Sequence, residues 1–203
     1  AFYLWNKFGS SHKVSFTSVP FDDVVGEIFN SVSEPYMGVM LKRLMLQAAE
    51  QIANKMKIDA LLTGESVAQV SSQTLRNLSL IDQATSKLVL RPLCTMNKPE
   101  IMDMAQKIGT KKFAESMPEY CGVISKHPVT HGSFERVQKE SNNFNDDVLQ
   151  QAVENAVTID MHEAINDIGD IGQIEMVYEI PNDNQHVVID IRQDEACIQT
   201  SCE

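Results

Sequence analysis

The chain has 203 residues, 17 Lys plus Arg against 28 Asp plus Glu, a formal charge of −11 and 43% hydrophobic residues. That is length for one ordinary domain and part of a second, and so acidic a chain is a poor candidate for gripping a phosphate backbone unaided, because such binding rests on Lys and Arg releasing counterions. At 22% charged residues it is not generally disordered, no apolar run approaches the roughly 18–20 residues of a membrane span, and no basic-then-apolar start marks it for export.

The first residues, Ala1-Phe2-Tyr3-Leu4-Trp5, lack an initiator Met and are already in helical stride. Residues 1–8 therefore read as the tail of a helix closed by Gly9, and the chain reads as a piece cut at both ends. Val14, Phe16 and Val19 suit a short strand ending at Pro20. Residues 35–57 give the clearest helix: Leu41, Leu44, Met45, Ala48, Ile52 and Met56 form an apolar stripe, with Lys42, Arg43, Gln47, Glu50 and Asn54 off it. A second strand, 58–62, runs directly into Thr63-Gly64-Glu65-Ser66, and a third, 88–93, is bounded by Pro92. This alternation predicts an α/β fold with a parallel sheet and crossover helices.

The next helix has an explicit start, with Asn97 as cap, Glu100 completing a capping box and Pro99 in the first turn; Gly109 ends it. Residues 110–134 read as a mixed loop punctuated by Pro118, Gly122, Pro128 and Gly132. Residues 144–165 read as an acidic helix with Val148, Leu149, Ala152, Val153 and Ala156 on its apolar face, and the Asp/Glu surplus along 135–170 as a solvated helical face. Strand spacing then appears over 174–180, a turn over 181–184 and a strand over 187–191, so a boundary is expected near 166–180.

Three features could carry chemistry. Thr63-Gly64-Glu65-Ser66 leaves a strand at its carboxyl end, where ligands collect in open α/β sheets, and is followed by Gln69, Ser71, Ser72, Gln73 and Thr74. It is either a ligand loop that a base or ribose approaches over Gly64, or a polar connection with a turn glycine. Lys98 sits in a helix's first turn, where it opposes the dipole. It is either an idle surface lysine at a cost of about 0.3–1 kcal/mol or part of an anion site. Cys121 lies in a Pro/Gly-punctuated loop near Lys111, Lys112 and Lys126, where a thiol is exposed and reactive or simply structural. Cys94 reads as a packing residue after an apolar strand. Cys121, His127 and His131 do not have a zinc spacing, and no metal site is assigned. Four unevenly placed cysteines do not make a disulfide scaffold, which points to a cytosolic compartment.

These residues together resemble the tRNA 4-thiouridine synthetase family of tRNA uracil 4-sulfurtransferases. The resemblance is carried by Thr63-Gly64-Glu65-Ser66, by Gln69-Val70-Ser71-Ser72-Gln73-Thr74-Leu75-Arg76-Asn77-Leu78, by Leu90-Arg91-Pro92-Leu93 with Lys98, and above all by Met117-Pro118-Glu119-Tyr120-Cys121-Gly122-Val123-Ile124-Ser125. It extends from the first residues to about Arg192.

The resemblance implies a Rossmann-like parallel sheet of the PP-loop ATP-pyrophosphatase type, present in part over residues 1–165, then a linker at 166–180 and the start of a rhodanese-like domain over 181–203. Its opening strand would be Val187-Val188-Ile189-Asp190-Ile191-Arg192. In that family ATP, with Mg2+ on its phosphates, adenylates the C4 oxygen of a tRNA uridine, and a persulfide sulfur then displaces AMP. The family also supplies sulfur for the thiamine thiazole in some bacteria. Lys42, Gly64 and Gln73 match nucleotide-binding positions, Lys98 a lysine needed for activity, and Cys121 a cysteine that forms a transient disulfide with the persulfide-bearing one. Implied partners are tRNA, a cysteine desulfurase as sulfur donor, and a second copy in a homodimer, with no membrane. The family's Ser-Gly-Gly-x-Asp-Ser phosphate loop does not occur here, nor does the rhodanese active loop; Cys197 and Cys202 are not given its role. A nucleotide-binding module without sulfur chemistry is the alternative, and a sulfur relay serving only thiazole synthesis is a further rival.

Overall fold

A computed structural model describes residues 1–9, 11–116 and 127–163. The compact unit Ala1–His162 holds all of these but Glu163. Cys121, Cys197, Cys202, the expected linker and the expected strands over 174–180 and 187–191 lie outside the described residues.

In chain order the elements are α1 (Phe2–Phe8), β1 (Ser15–Ser18), α2 (Asp22–Ser31), a 3-10 turn (Glu34–Tyr36), α3 (Met37–Met56), β2 (Ala60–Leu62) and a second 3-10 turn (Ser71–Gln73). They continue with α4 (Leu75–Asp82), β3 (Leu88–Leu90), α5 (Lys98–Ile108), α6 (Lys111–Ser116), α7 (Phe134–Asn143), α8 (Asp146–Glu154) and β4 (Val157–Asp160). The expected α/β class holds, and β2 and β3 are parallel, pairing Ala60 with Leu88 and Leu62 with Leu90. The other pair corrects the all-parallel expectation: β1 and β4 are antiparallel, Ser15 opposite Asp160 and Ser18 opposite Val157. Among the described residues no helix is long and apolar enough to cross a membrane.

α3 is the centre of the unit. Its Val39, Met40 and Leu44 pack in one cluster with Val24 and Ile28 of α2, Leu80 and Ile81 of α4, Val137 of α7, and Leu149 and Val153 of α8. The predicted stripe is rotated in the structure. Leu44 and Ala48 are buried, but Met45 and Met56 are exposed while Arg43 is buried and donates to the Leu80 carbonyl. Neighbours meet α3 on several sides, so no single stripe describes its buried face. Met45 instead faces an open apolar groove of about 870 Å3, lined also by Thr17, Val19, Phe29, Ile58 and Leu62.

Other departures have local causes. α2 was not expected, although Asp22 and Asp23 suit its first turn and Val24 and Ile28 have helical spacing. The 110–134 loop begins as helix α6. The single helix expected over 144–165 ends at Glu154, and the β-branched run Val157-Thr158-Ile159 leaves it to pair with β1. The solvated acidic face also has an exception. Glu140 is only 1% exposed, and its carboxylate accepts hydrogen bonds from the Ser33 amide (2.9 Å), the Ser33 hydroxyl (2.6 Å) and Arg136 Nε (2.7 Å).

Candidate functional site

The site grows from the carboxyl ends of the parallel pair. The ladder runs one step beyond β2, where Thr63 N donates to the Leu90 carbonyl at 2.9 Å. The chain then leaves through Gly64 and is stitched to the segment after β3: Ser66 Oγ donates to the Met96 carbonyl (2.6 Å) and Val67 N to that of Cys94 (3.0 Å). It turns back at Ala68, whose φ of 62° is left-handed and whose N–H donates to the Gln73 carbonyl at 2.9 Å. Residues 63–73 and 91–97 thus form one hydrogen-bonded rim at the strand ends.

Gly64 is exposed, and nothing in its own backbone demands glycine. Its φ lies outside the left-handed region, and an added Cβ would meet nothing within 4 Å. Neither turn geometry nor protein packing requires glycine there, so what its missing side chain leaves is open backbone at the strand end. Open backbone of this kind is compatible both with a ligand's approach and with a plain solvent-facing connection.

Beside Gly64, Glu65 gathers charges from three other elements. Its Oε1 accepts from Lys42 Nζ of α3 at 2.7 Å, and its Oε2 accepts from Arg91 Nε at 2.7 Å and from Thr63 Oγ1 at 3.1 Å. Arg91 also binds Asp82 at the end of α4, NH1 to Oδ2 at 3.1 Å and NH2 to Oδ1 at 2.5 Å. Burial pushes the Glu65 carboxyl up, but hydrogen bonds from Lys42 and Arg91 outweigh it and hold the group below the usual carboxylate range. Burial likewise pulls Arg91 down, and the Asp82 and Glu65 carboxylates more than reverse that.

Gln73 sits on the 3-10 turn packed beside the start of α3, where a Cβ on Gly38 would lie 4.0 Å from Ser72 Cβ. Its Oε1 is buried and has no hydrogen-bond partner among the described residues. An orphaned buried acceptor is rare in a folded protein, and one on the rim of a strand-end loop suits a ligand's N–H donor.

Asn77, fully buried, fixes this turn to the segment 127–133. Its Nδ2 donates to the Ser71 (2.7 Å) and Val129 (2.8 Å) carbonyls, and its Oδ1 accepts from Gly132 N at 3.0 Å. Thr74 Oγ1 donates to the Thr130 carbonyl (2.8 Å) and Arg76 Nε to that of Gly132 (2.9 Å).

Of the predicted residues, the structure brings Lys42, Gly64 and Gln73 onto this rim. Lys98 follows it as the first residue of α5. It is exposed and makes no hydrogen bond or ion pair among the described residues, beside the capping box in which Asn97 N donates to Glu100 Oε2 (2.7 Å) and Glu100 N to Asn97 Oδ1 (3.0 Å). Cys94 is a half-buried free thiol. Among the described residues no group of three or more His, Cys, Asp and Glu could hold a metal ion. Sequence reasoning missed Glu65, Arg91, Asp82 and Asn77 as site-forming residues. The available signal was an arginine leaving an apolar strand just before Pro92, a costly place for a charge without a carboxylate partner.

Known proteins are similar to this chain along most of its length. A family model described as thiamine biosynthesis protein (ThiI) matches residues 1–145. The tRNA sulfurtransferase of Pseudomonas putida is 52% identical over 197 residues, 97% of this chain and 40% of that protein. The tRNA sulfurtransferase of Saccharophagus degradans is 48% identical over 95% of this chain and 39% of its own length. This chain therefore spans about 40% of the curated relatives it matches. Its fold is similar to a crystal structure of a 4-thiouridine synthetase–RNA complex with bound ATP, with a TM-score of 0.72 and 28% identity over 78% of this chain and 42% of that one.

Proposed function

Because this chain belongs to the thiamine biosynthesis protein (ThiI) family, we propose that it is part of an enzyme that transfers sulfur to a tRNA uridine at the expense of ATP, giving 4-thiouridine. Residues 1–165 are read as part of a PP-loop ATP-pyrophosphatase domain, 166–180 as a linker and 181–203 as the start of a rhodanese-like domain. ATP adenylates the C4 oxygen of the uridine and releases pyrophosphate; a persulfide sulfur then attacks C4 and AMP leaves with the former carbonyl oxygen. The same persulfide would serve thiamine thiazole synthesis.

The observation that carries this reading is the convergence of Lys42, Gly64 and Gln73 on one rim at the carboxyl ends of β2 and β3, with the Gln73 Oε1 unsatisfied among the described residues. The open backbone at Gly64 accepts a flat base or ribose, Gln73 accepts a hydrogen bond from it, and the Lys42 ammonium offers charge to phosphate. Lys98 adds a second cation for charge developing on the phosphates. No residue described here is assigned to Mg2+, which would be held by the phosphates themselves. Cys121 is read as the thiol that resolves the mixed sulfur intermediate by forming a transient disulfide with the persulfide-bearing cysteine. tRNA, a cysteine desulfurase and a second copy of the chain are the partners this reading calls for, in the cytoplasm.

The test is made on the complete protein with tRNA, ATP and a persulfide donor. Gln73→Ala is expected to weaken ATP binding about tenfold, the equivalent of one lost hydrogen bond of about 1.4 kcal/mol. Cys121→Ser is expected to abolish 4-thiouridine formation while ATP affinity stays unchanged. ATP binding indifferent to Gln73 overturns the nucleotide site. Unchanged thiolation by the Cys121 variant overturns the role given to that cysteine, whereas a wild type that binds ATP but forms no 4-thiouridine is a nucleotide-binding module without sulfur chemistry.

A further inference from the structure

Lys42 does not reach the strand ends by itself. It belongs to a linear relay of alternating charge whose members come from four places in the chain: Asp82 at the end of α4, Arg91 after β3, Glu65 after β2, and Lys42 on α3. The two cations differ in what they have left to give. Arg91 Nε, NH1 and NH2 are all engaged by Glu65 and Asp82, and its side chain is 11% exposed. Among the described residues Lys42 Nζ donates only to Glu65 Oε1, and its side chain is 25% exposed. An ammonium carries three donors, so the one given to Glu65 sets its direction while the others stay available. Glu65 is the hinge of the arrangement, since its two oxygens face opposite cations and Thr63 Oγ1 completes its shell.

We infer that Glu65 is the positioning residue for Lys42: locked by Arg91 and Thr63, its carboxylate holds the ammonium at the carboxyl ends of β2 and β3, ready for the anionic part of a nucleotide. The inference rests on the nucleotide site proposed above. It assigns Glu65 no contact with nucleotide; Glu65 acts through Lys42, and Asp82 acts one step further back through Arg91. Without the carboxylate, Lys42 and Arg91 would face each other as like charges, and the flexible lysine would swing into solvent.

This makes a double-mutant cycle the decisive measurement, read as ATP dissociation constants of the complete protein. Glu65→Gln keeps the volume and one acceptor oxygen but not the charge, and is expected to weaken ATP about tenfold, within the range of coupling found for residues in one salt-bridge network. In a Lys42→Met background the same substitution is expected to change ATP affinity less than about twofold, because the residue it positions is gone. A purely architectural role, or direct contact with nucleotide or its metal, gives the same loss in both backgrounds and overturns the inference, as does full affinity in Glu65→Gln alone. If Glu65→Gln does not fold, Asp82→Asn replaces it. That side chain is 44% exposed, so the change loosens Arg91 from the solvent side. It is expected to weaken ATP about threefold, again only when Lys42 is present. A wild-type protein that binds no ATP overturns the proposed function, and this inference falls with it. A wild type that binds ATP with an additive cycle overturns the inference alone.

Discussion

At the residue scale, Gly132 and Asn77 are in contact with no space to spare. A Cβ on Gly132 would lie 2.9 Å from Leu80 Cδ1 and 3.0 Å from Asn77 Oδ1. Leu80 is 1% exposed and Asn77 is held by three hydrogen bonds, so neither side chain has anywhere to go. Gly132→Ala is therefore expected to destabilise by about 1–3 kcal/mol, the usual cost of overpacking a filled site, read as a lower thermal midpoint. An unchanged midpoint would mean that the Asn77 clamp is slack. None of this was visible beforehand. The partners of Asn77 are six and more than fifty positions away, and an Asn in a polar stretch announces only local turn chemistry. Gly64 and Gln73 were found because they lie in short contiguous motifs, and Lys42 because it matches a family position on the long helix. Glu65 and Arg91 lie in two separate motifs of this kind, and only the fold puts their charges on one another.

At the element scale, α5 behaves as its sequence says. Its start, capping box and end at Gly109 are all local, and Gly109 takes the left-handed conformation at φ 84° that favours glycine. None of its eleven residues is buried, so caps and dipole weigh more in this helix than packing does. Lys98 at its first position then has opposite effects on stability and activity. Lys98→Ala is expected to raise the thermal midpoint slightly, by the equivalent of about 0.3–1 kcal/mol from relieving the clash with the helix dipole, while lowering 4-thiouridine formation. A variant that loses both together would make Lys98 a structural residue. β4 was illegible for the opposite reason. Its run continues an acidic helix in sequence, and only pairing with β1, across 141 positions at Thr17 and Thr158, makes it a strand.

At the scale of the whole molecule, buried carboxylates set the acid limit. Burial pushes the Glu140 carboxyl up, but the Ser33 hydroxyl and amide and the Arg136 charge outweigh it and hold the group below its usual range, as Lys42 and Arg91 do for Glu65. A depressed carboxyl contributes stability that is present above its unfolded value of about 4.3 and is lost as pH falls through the lower folded value. Urea midpoints are expected to be flat near neutrality and to fall below about pH 4.3. Glu140→Gln is expected to start about 1–3 kcal/mol lower at pH 7 and to decline less steeply, because it no longer has that proton to take up. Parallel curves for the two proteins would remove Glu140 from the account.

The β1–β4 pair is also the most non-local pairing of strands in this unit. Joining Ser15–Ser18 to Val157–Asp160 closes nearly the whole described chain into one loop, whereas α2 meets α3 with only a short turn between. Closing so long a loop from an open chain costs entropy before any contact rewards it, and the cost shrinks once the helices have gathered around α3. The strand pair is therefore expected to form after the helices have gathered, and on the ribosome it must wait until Asp160 has emerged. The strand-end rim, built between residues 42 and 98, has all its members in hand long before then.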